Sequence, residues 1–283
     1  MKLKHSRSWY AAIACVVFLL CTHMRDLVRV AGLGRLVHGW LFVGVYNLLQ
    51  IAGCIGATVG TYRMRLGRAL AELGLLARLG RAAAFSFVAA LPMLLAFGVS
   101  FPINPKMTVI SVTVGCFLAP FAEELLFRGY VFGQLYRHAR WGFWLSAIVP
   151  SALFALGHAY QTDSPFELMG IFAVTGIGGL LGCWLYLRWN GNLWVVFCLH
   201  ALMNLWWEVF GVADTALGGW IANGARLVTV TLAILLTIYK DHFWKTGVQE
   251  IDWRAENDAF FAQRRMDTDK FAAEIAGQVC CRS

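Results

Sequence analysis

The chain has 283 residues, of which 59% are hydrophobic and only 14% charged, and its formal net charge is +8. Soluble domains carry about a quarter charged residues, so this composition excludes an ordinary soluble or disordered protein. The positive balance does not point to nucleic acid either, because the basic residues fall between apolar runs, as they do in the loops of polytopic membrane proteins.

Taken in order, apolar stretches occupy about 9–24, 40–60, 82–100, 107–128, 141–160, 166–187, 193–210 and 220–239. Most approach the roughly 20 residues a helix needs to cross the hydrocarbon. The pattern predicts an all-α, polytopic integral membrane bundle with about eight transmembrane helices. A basic start at Lys2, Lys4 and Arg7 precedes the first stretch, but no small-residue cleavage site follows it, so it reads as an uncleaved span. The loop from Tyr62 to Arg81 holds five arginines against the single acid Glu72 and is expected in the cytoplasm. Arg137, Arg140 and Arg188 then fall on the same side, and eight crossings place both termini inside. Arg25, Arg29 and Arg35 disagree, as they would lie outside unless the first span is a shallow amphipathic helix. The expected organisation is N-terminal helices and a basic loop over 1–106, a core over 107–210, a final helix over 211–239 and a polar cytoplasmic tail over 240–283. The eight cysteines form no CxxC spacing, and the six in or beside apolar stretches read as small buried hydrophobes.

The fourth stretch is interrupted by Pro120-Phe-Ala-Glu-Glu-Leu-Leu-Phe-Arg-Gly-Tyr130. An ionised side chain inside a bilayer costs about 2.5–3.5 kcal/mol on insertion scales, so three together are expected to serve a purpose. Glu124 and Arg128 are four apart on a helix and can pair. Glu123 lies about 100° round and is left over for chemistry. Two further polar groupings occur in apolar stretches: Phe154-Ala-Leu-Gly-His158, and His200-Ala-Leu-Met-Asn204, whose ends share one helical face. Either histidine alone reads as a helix–helix contact. Together with the carboxylates they supply a base, an imidazole and a donor pair, which is what peptide hydrolysis requires. Glycines at 176, 178, 179 and 182 read as a close helix contact, with Gly178 and Gly182 the spaced pair.

Glu123-Glu124-xxx-Arg128, Phe154-xxx-His158 and His200-xxx-Asn204, in that order, resemble the CPBP family of intramembrane proteases, which includes CaaX-processing and Abi-like members. The resemblance covers about residues 107–210. It implies a glutamic-type endopeptidase in which Glu123, with His158, activates a water and His200 and Asn204 form the oxyanion hole. Glu124 would complete the catalytic set, with Arg128 and Phe154 as support. The implied substrate is a membrane-associated protein or peptide, and the implied partner is the lipid bilayer, with no role for nucleic acid. The expected location is a prokaryotic plasma (inner) membrane. No cofactor is expected, although Glu123, His158 and His200 are also a legitimate zinc set with Glu124 as base; that version lacks an HExxH motif and leaves Asn204 idle. A different class of function stays open, a non-enzymatic transporter or scaffold that uses the same charges for packing. Glu123 lies toward the cytoplasmic side and His158 toward the other in a simple up-down map. A break or strong tilt at Pro120 or Pro150 is therefore expected if the two are to meet.

Overall fold

The computed structural model describes residues 7–32, 37–240 and 242. The tail predicted over 240–283 lies outside the described residues apart from Lys240 and His242, as do Lys2, Lys4, Arg35, Cys280 and Cys281. The described chain is helical throughout: α1 Arg7–Thr22, α2 Met24–Val30, α3 Gly39–Tyr62, α4 Leu66–Glu72, α5 Leu79–Ser100, α6 Val109–His138, α7 Phe143–Leu156, α8 Pro165–Arg188, α9 Leu193–Val209 and α10 Trp220–Ile238. Large apolar side chains such as Leu95, Val99, Ile177 and Leu227 stand exposed on its surface. Only a lipid surround makes that arrangement favourable, since helices shield their own backbone polar groups and leave the outside apolar. The protein is an all-α polytopic bundle.

The eight predicted stretches all become helices, but they do not all span alike. Six helices are long and apolar enough to cross a membrane, and a seventh crossing arises if α1 and α2, bent by 53°, count as one. The eighth, α9, has 17 residues and is shorter. Arg25 and Arg29 therefore lie not in a loop but on α2, which packs against α3 and sets the Arg29 guanidinium 5.6 Å from the Phe42 ring.

The bundle is built round α6, which touches α1, α3, α7, α8 and α9, while α5 joins α9 and α10 alongside. Every residue from Leu125 to Phe132 is buried, Arg128 included. Much of α6 is π-helical, over Val112–Leu118, Leu125–Phe132 and Gln134–His138, with one α-helical segment, Ala119–Glu124, between. A π register bonds five residues back instead of four and is common at functional sites. Pro120 has no N–H to contribute and would normally kink a helix. Here it stands just after the change from π to α register, and α6 continues past it. The predicted break is absent.

The basic loop is more ordered than its composition implies. Gly74 has φ +81°, and a Cβ there would collide with the Gly191 carbonyl, so only glycine lets this turn lie against the α8–α9 turn. Leu193 N–H donates to Gly74 O at 3.3 Å and Trp194 Nε1 to Leu75 O at 3.0 Å. Glu72, at the end of α4, is thereby buried against Arg137 and His138 at the end of α6. Arg137 is accordingly a buried partner of Glu72 rather than a solvated loop charge.

Candidate active site

The α-helical segment of α6 presents Glu123 and Glu124 in different directions. Glu124 is buried, and its Oε1 accepts both from Arg128 Nη1 at 3.0 Å and from His200 Nδ1 at 2.8 Å. Its Oε2 is buried with no hydrogen-bond partner among the described residues. Arg128 reaches that position through a gap in α8: a Cβ on Gly182 would stand 2.8 Å from Arg128 Nε. The guanidinium also lies 4.8 Å from the centre of the Phe154 ring, a cation–π arrangement.

Glu123 is different. Its side chain is 33% exposed, and its nearest charged neighbour is His200, whose Nε2 stands 3.9 Å from Glu123 Oε2. Because Glu124 takes Nδ1 of His200, that nitrogen carries the proton and Nε2 is the one turned toward Glu123. One helical turn along α9, the Asn204 amide is partly exposed and makes no hydrogen bond among the described residues. His158 sits just past the end of α7. Its Nδ1 is 2.8 Å from Phe154 O, and a carbonyl can only accept, so Nδ1 again holds the proton and Nε2 offers a lone pair.

Phe154 is the hub of this arrangement. Its ring centre lies 4.6 Å from that of His158, 5.1 Å from Phe127 and 6.3 Å from His200. Helix α7 runs through Pro150 unbroken and ends at Leu156, so His158 lies between it and the short 3₁₀ turn Ala159–Gln161, within the apolar span Phe143–Gln161. Among the described residues His158 has neither a hydrogen bond nor an ion pair with a carboxylate.

Residues 105–206 match the family model described as Rce1-like, type II CAAX prenyl endopeptidase. This stretch is similar to the CAAX endopeptidase family. It is about a third of the chain, and it holds every candidate residue above. Neither a curated protein nor a solved structure matches the chain. The apolar helices make the protein an integral membrane protein, and an endopeptidase is what the matched stretch resembles.

The zinc alternative fits the endopeptidase stretch poorly. Glu123, His158 and His200 do not gather into a metal-binding group, and no three His, Cys, Asp or Glu side chains do among the described residues. Other charges in the spans are occupied elsewhere. Glu167 accepts from Thr162 and Thr215, each at 2.8 Å, Glu208 accepts from Ser111 at 3.0 Å, and Arg226 donates to Asn223 and to the Ala216 carbonyl. Two features escaped the sequence reading. Gly182 makes room for Arg128, whereas Gly178 faces open space. On α3, Asn47 and Gln50 are buried amides, and Gln50 reaches the turn that carries the carboxylates. The available signal was a pair of amides at i and i+3 inside an apolar span.

Proposed function

We propose that the protein hydrolyses a peptide bond of a membrane-associated protein or peptide, using Glu123 as general base. The observation that carries this reading is the contrast within the carboxylate pair. Glu124 Oε1 is held by both Arg128 and His200, while Glu123 is partly exposed and faces His200 at 3.9 Å. In the proposed cycle Glu123, with the His158 Nε2 lone pair, takes a proton from water as it attacks the scissile carbonyl. General base catalysis of this kind contributes about 100- to 10,000-fold. The oxyanion that forms is held by the Asn204 amide and by Nε2–H of His200 in its doubly protonated, imidazolium form, which Glu124 and Arg128 keep oriented. The proton then passes to the leaving amine. No metal takes part in this scheme, and the base and donors come from α6, the end of α7 and α9. The substrate class is drawn from the family's description as a CAAX prenyl endopeptidase, a prenyl-bearing CAAX sequence. We place the end of α6 that carries Arg137, and with it both chain termini, on the cytoplasmic side of a prokaryotic plasma membrane. The 107–210 core with flanking helices follows from the same reading.

The test is a comparison of protein termini in membranes from cells carrying wild type or Glu123→Gln, with His200→Ala and Asn204→Ala alongside. A terminus that shifts only with wild type names both substrate and base. Activity that survives a chelator supports the metal-free scheme, and activity restored by zinc after chelation overturns it. If no terminus shifts although the variants insert and fold, the charges are structural, as in a transporter or scaffold.

A further inference from the structure

We infer that Gln50, on α3 and outside the family-matched stretch, is a positioning residue for the carboxylate turn. The inference rests on the reading of Glu123 as the base. Gln50 is buried, and its Nε2 donates to the Ala122 carbonyl at 3.3 Å. Ala122 immediately precedes Glu123 and lies in the α-helical segment Ala119–Glu124 of α6, with π-helical turns on both sides. A change of register within a helix alters the direction in which each following side chain points, so the orientation of Glu123 depends on where the α segment begins and ends. The bond from Gln50 fixes a backbone atom inside that segment from a neighbouring helix.

Its place on α3 supports this reading. The buried face of α3 carries Asn47, Gln50, Cys54, Thr58 and Tyr62, all turned inward. Asn47 and Thr58 spend their donors on carbonyls of their own helix, Val43 O and Cys54 O. Gln50 donates instead to the backbone of α6. A polar contact serving only to join helices in a membrane contributes about 0.6 kcal/mol on average. Such a contact would not need the carbonyl next to the base. Helix α3 packs against the Ala119–Glu124 segment, so it borders the carboxylate turn.

The experiment compares full-length wild type, Gln50→Leu and Thr58→Val, purified in detergent. Modification of Glu123 by a hydrophobic carbodiimide is followed against pH by mass spectrometry, and cleavage of the substrate found by the terminus comparison is followed in parallel. Gln50→Leu is expected to displace the pH profile of Glu123 modification and to lower kcat by about 10- to 100-fold with KM little changed, because misplacing a reacting group by about 1 Å costs on that order. Thr58→Val is expected to leave both unchanged. Gln50→Met, which keeps the length of the side chain, replaces the leucine variant should that fail to fold. A wild-type modification profile and kcat in folded Gln50→Leu or Gln50→Met overturns the inference and makes Gln50 a packing contact. The modification readout needs no substrate. A displaced profile alongside a Glu123→Gln protein that still cleaves therefore overturns the base reading and leaves Gln50 as the residue that orients this carboxylate.

Discussion

Twice along α6 an arginine meets a glutamate and a histidine, and the two clusters use the same three residue types to different ends. Near the middle, Glu124 Oε1 takes Arg128 at 3.0 Å and His200 at 2.8 Å. At the end of the helix, Glu72 Oε1 takes Arg137 at 3.2 Å and His138 at 3.1 Å. The second cluster is closed: Arg137 also donates to Tyr186 at 2.8 Å and to the Glu72 carbonyl, and His138 stacks on Tyr62. The first is left incomplete. Glu124 Oε2 is buried without a partner, Glu123 is partly exposed, and the Asn204 amide makes no hydrogen bond among the described residues. Buried polar groups are nearly always satisfied, so the unsatisfied ones are the informative ones. Residue content does not separate a ligand site from a structural clasp; unmet hydrogen-bonding capacity does.

Removing the arginine from each cluster tests that distinction directly. Arg128→Ala and Arg137→Ala each strand a buried carboxylate, and both should lower stability by about 3–5 kcal/mol, read from thermal unfolding in detergent. Among the molecules that remain folded, the Arg137 variant should keep its kcat, while the Arg128 variant, with His200 no longer held, should lose it. Equal loss of kcat per folded molecule in the two would erase the difference drawn between the clusters.

Asn204→Ala sharpens the same contrast from the open side. Loss of one oxyanion donor lowers kcat by about 100- to 1,000-fold. Because the amide makes no hydrogen bond among the described residues, the melting temperature should hardly move. A fall in stability with unchanged kcat would instead make Asn204 a helix contact.

The sequence made the open cluster legible and hid the closed one. Glu123, Glu124 and Arg128 are conspicuous because they interrupt an apolar stretch, and the i, i+4 spacings of Glu124 with Arg128 and His200 with Asn204 place side chains on shared faces whatever the tertiary fold. Glu72 and Arg137 sit where hydropathy ends, so they read as loop charges. Their burial depends on a turn that only Gly74 permits and on the α8–α9 connection docking against it, contacts too distant in sequence for local patterning to register. The same limit applied to depth: periodicity showed that Pro120 falls inside a long helix, but not that a π-to-α change would let the chain run on past it. The family match covers the conspicuous residues and not Gln50, which one apolar-span amide pair had to signal alone.

Acid separates the clusters by stability. Burial alone would raise the Glu72 carboxyl, but the hydrogen bond with His138 and the charge of Arg137 outweigh it and hold it at about 2, against an ordinary 4.5. A carboxyl lowered in the folded state contributes stability that is present above its unfolded value and is lost as pH falls through its folded one. The window is therefore from about pH 4.5 down to about 2, and the contribution is about 3 kcal/mol. Wild type should lose melting temperature across that window, and Glu72→Gln, already less stable at neutral pH, should lose less. Parallel acid limbs in the two proteins would mean that Glu72 is not the group holding the closed cluster together.

The smallest effect concerns the glycines of α8, and it tests whether the open cluster depends on space as well as charge. Gly178 and Gly182 are the spaced pair in the sequence, yet they do different things. A Cβ at 178 meets nothing within 4 Å, whereas one at 182 would press on the Arg128 guanidinium at 2.8–3.2 Å. That guanidinium is pinned by Glu124 on one side and the Phe154 ring on another, so it has nowhere easy to move. Overpacking of this kind costs about 1–3 kcal/mol. Gly178→Ala should change stability by no more than about 0.5 kcal/mol and leave cleavage alone. Gly182→Ala should lower stability and also lower kcat, because shifting Arg128 loosens Glu124 and, through it, His200. If Gly182→Ala costs stability while kcat per folded molecule stays at the wild-type value, Arg128 supports the bundle rather than the chemistry, and the open cluster would be reduced to Glu123, His200 and Asn204.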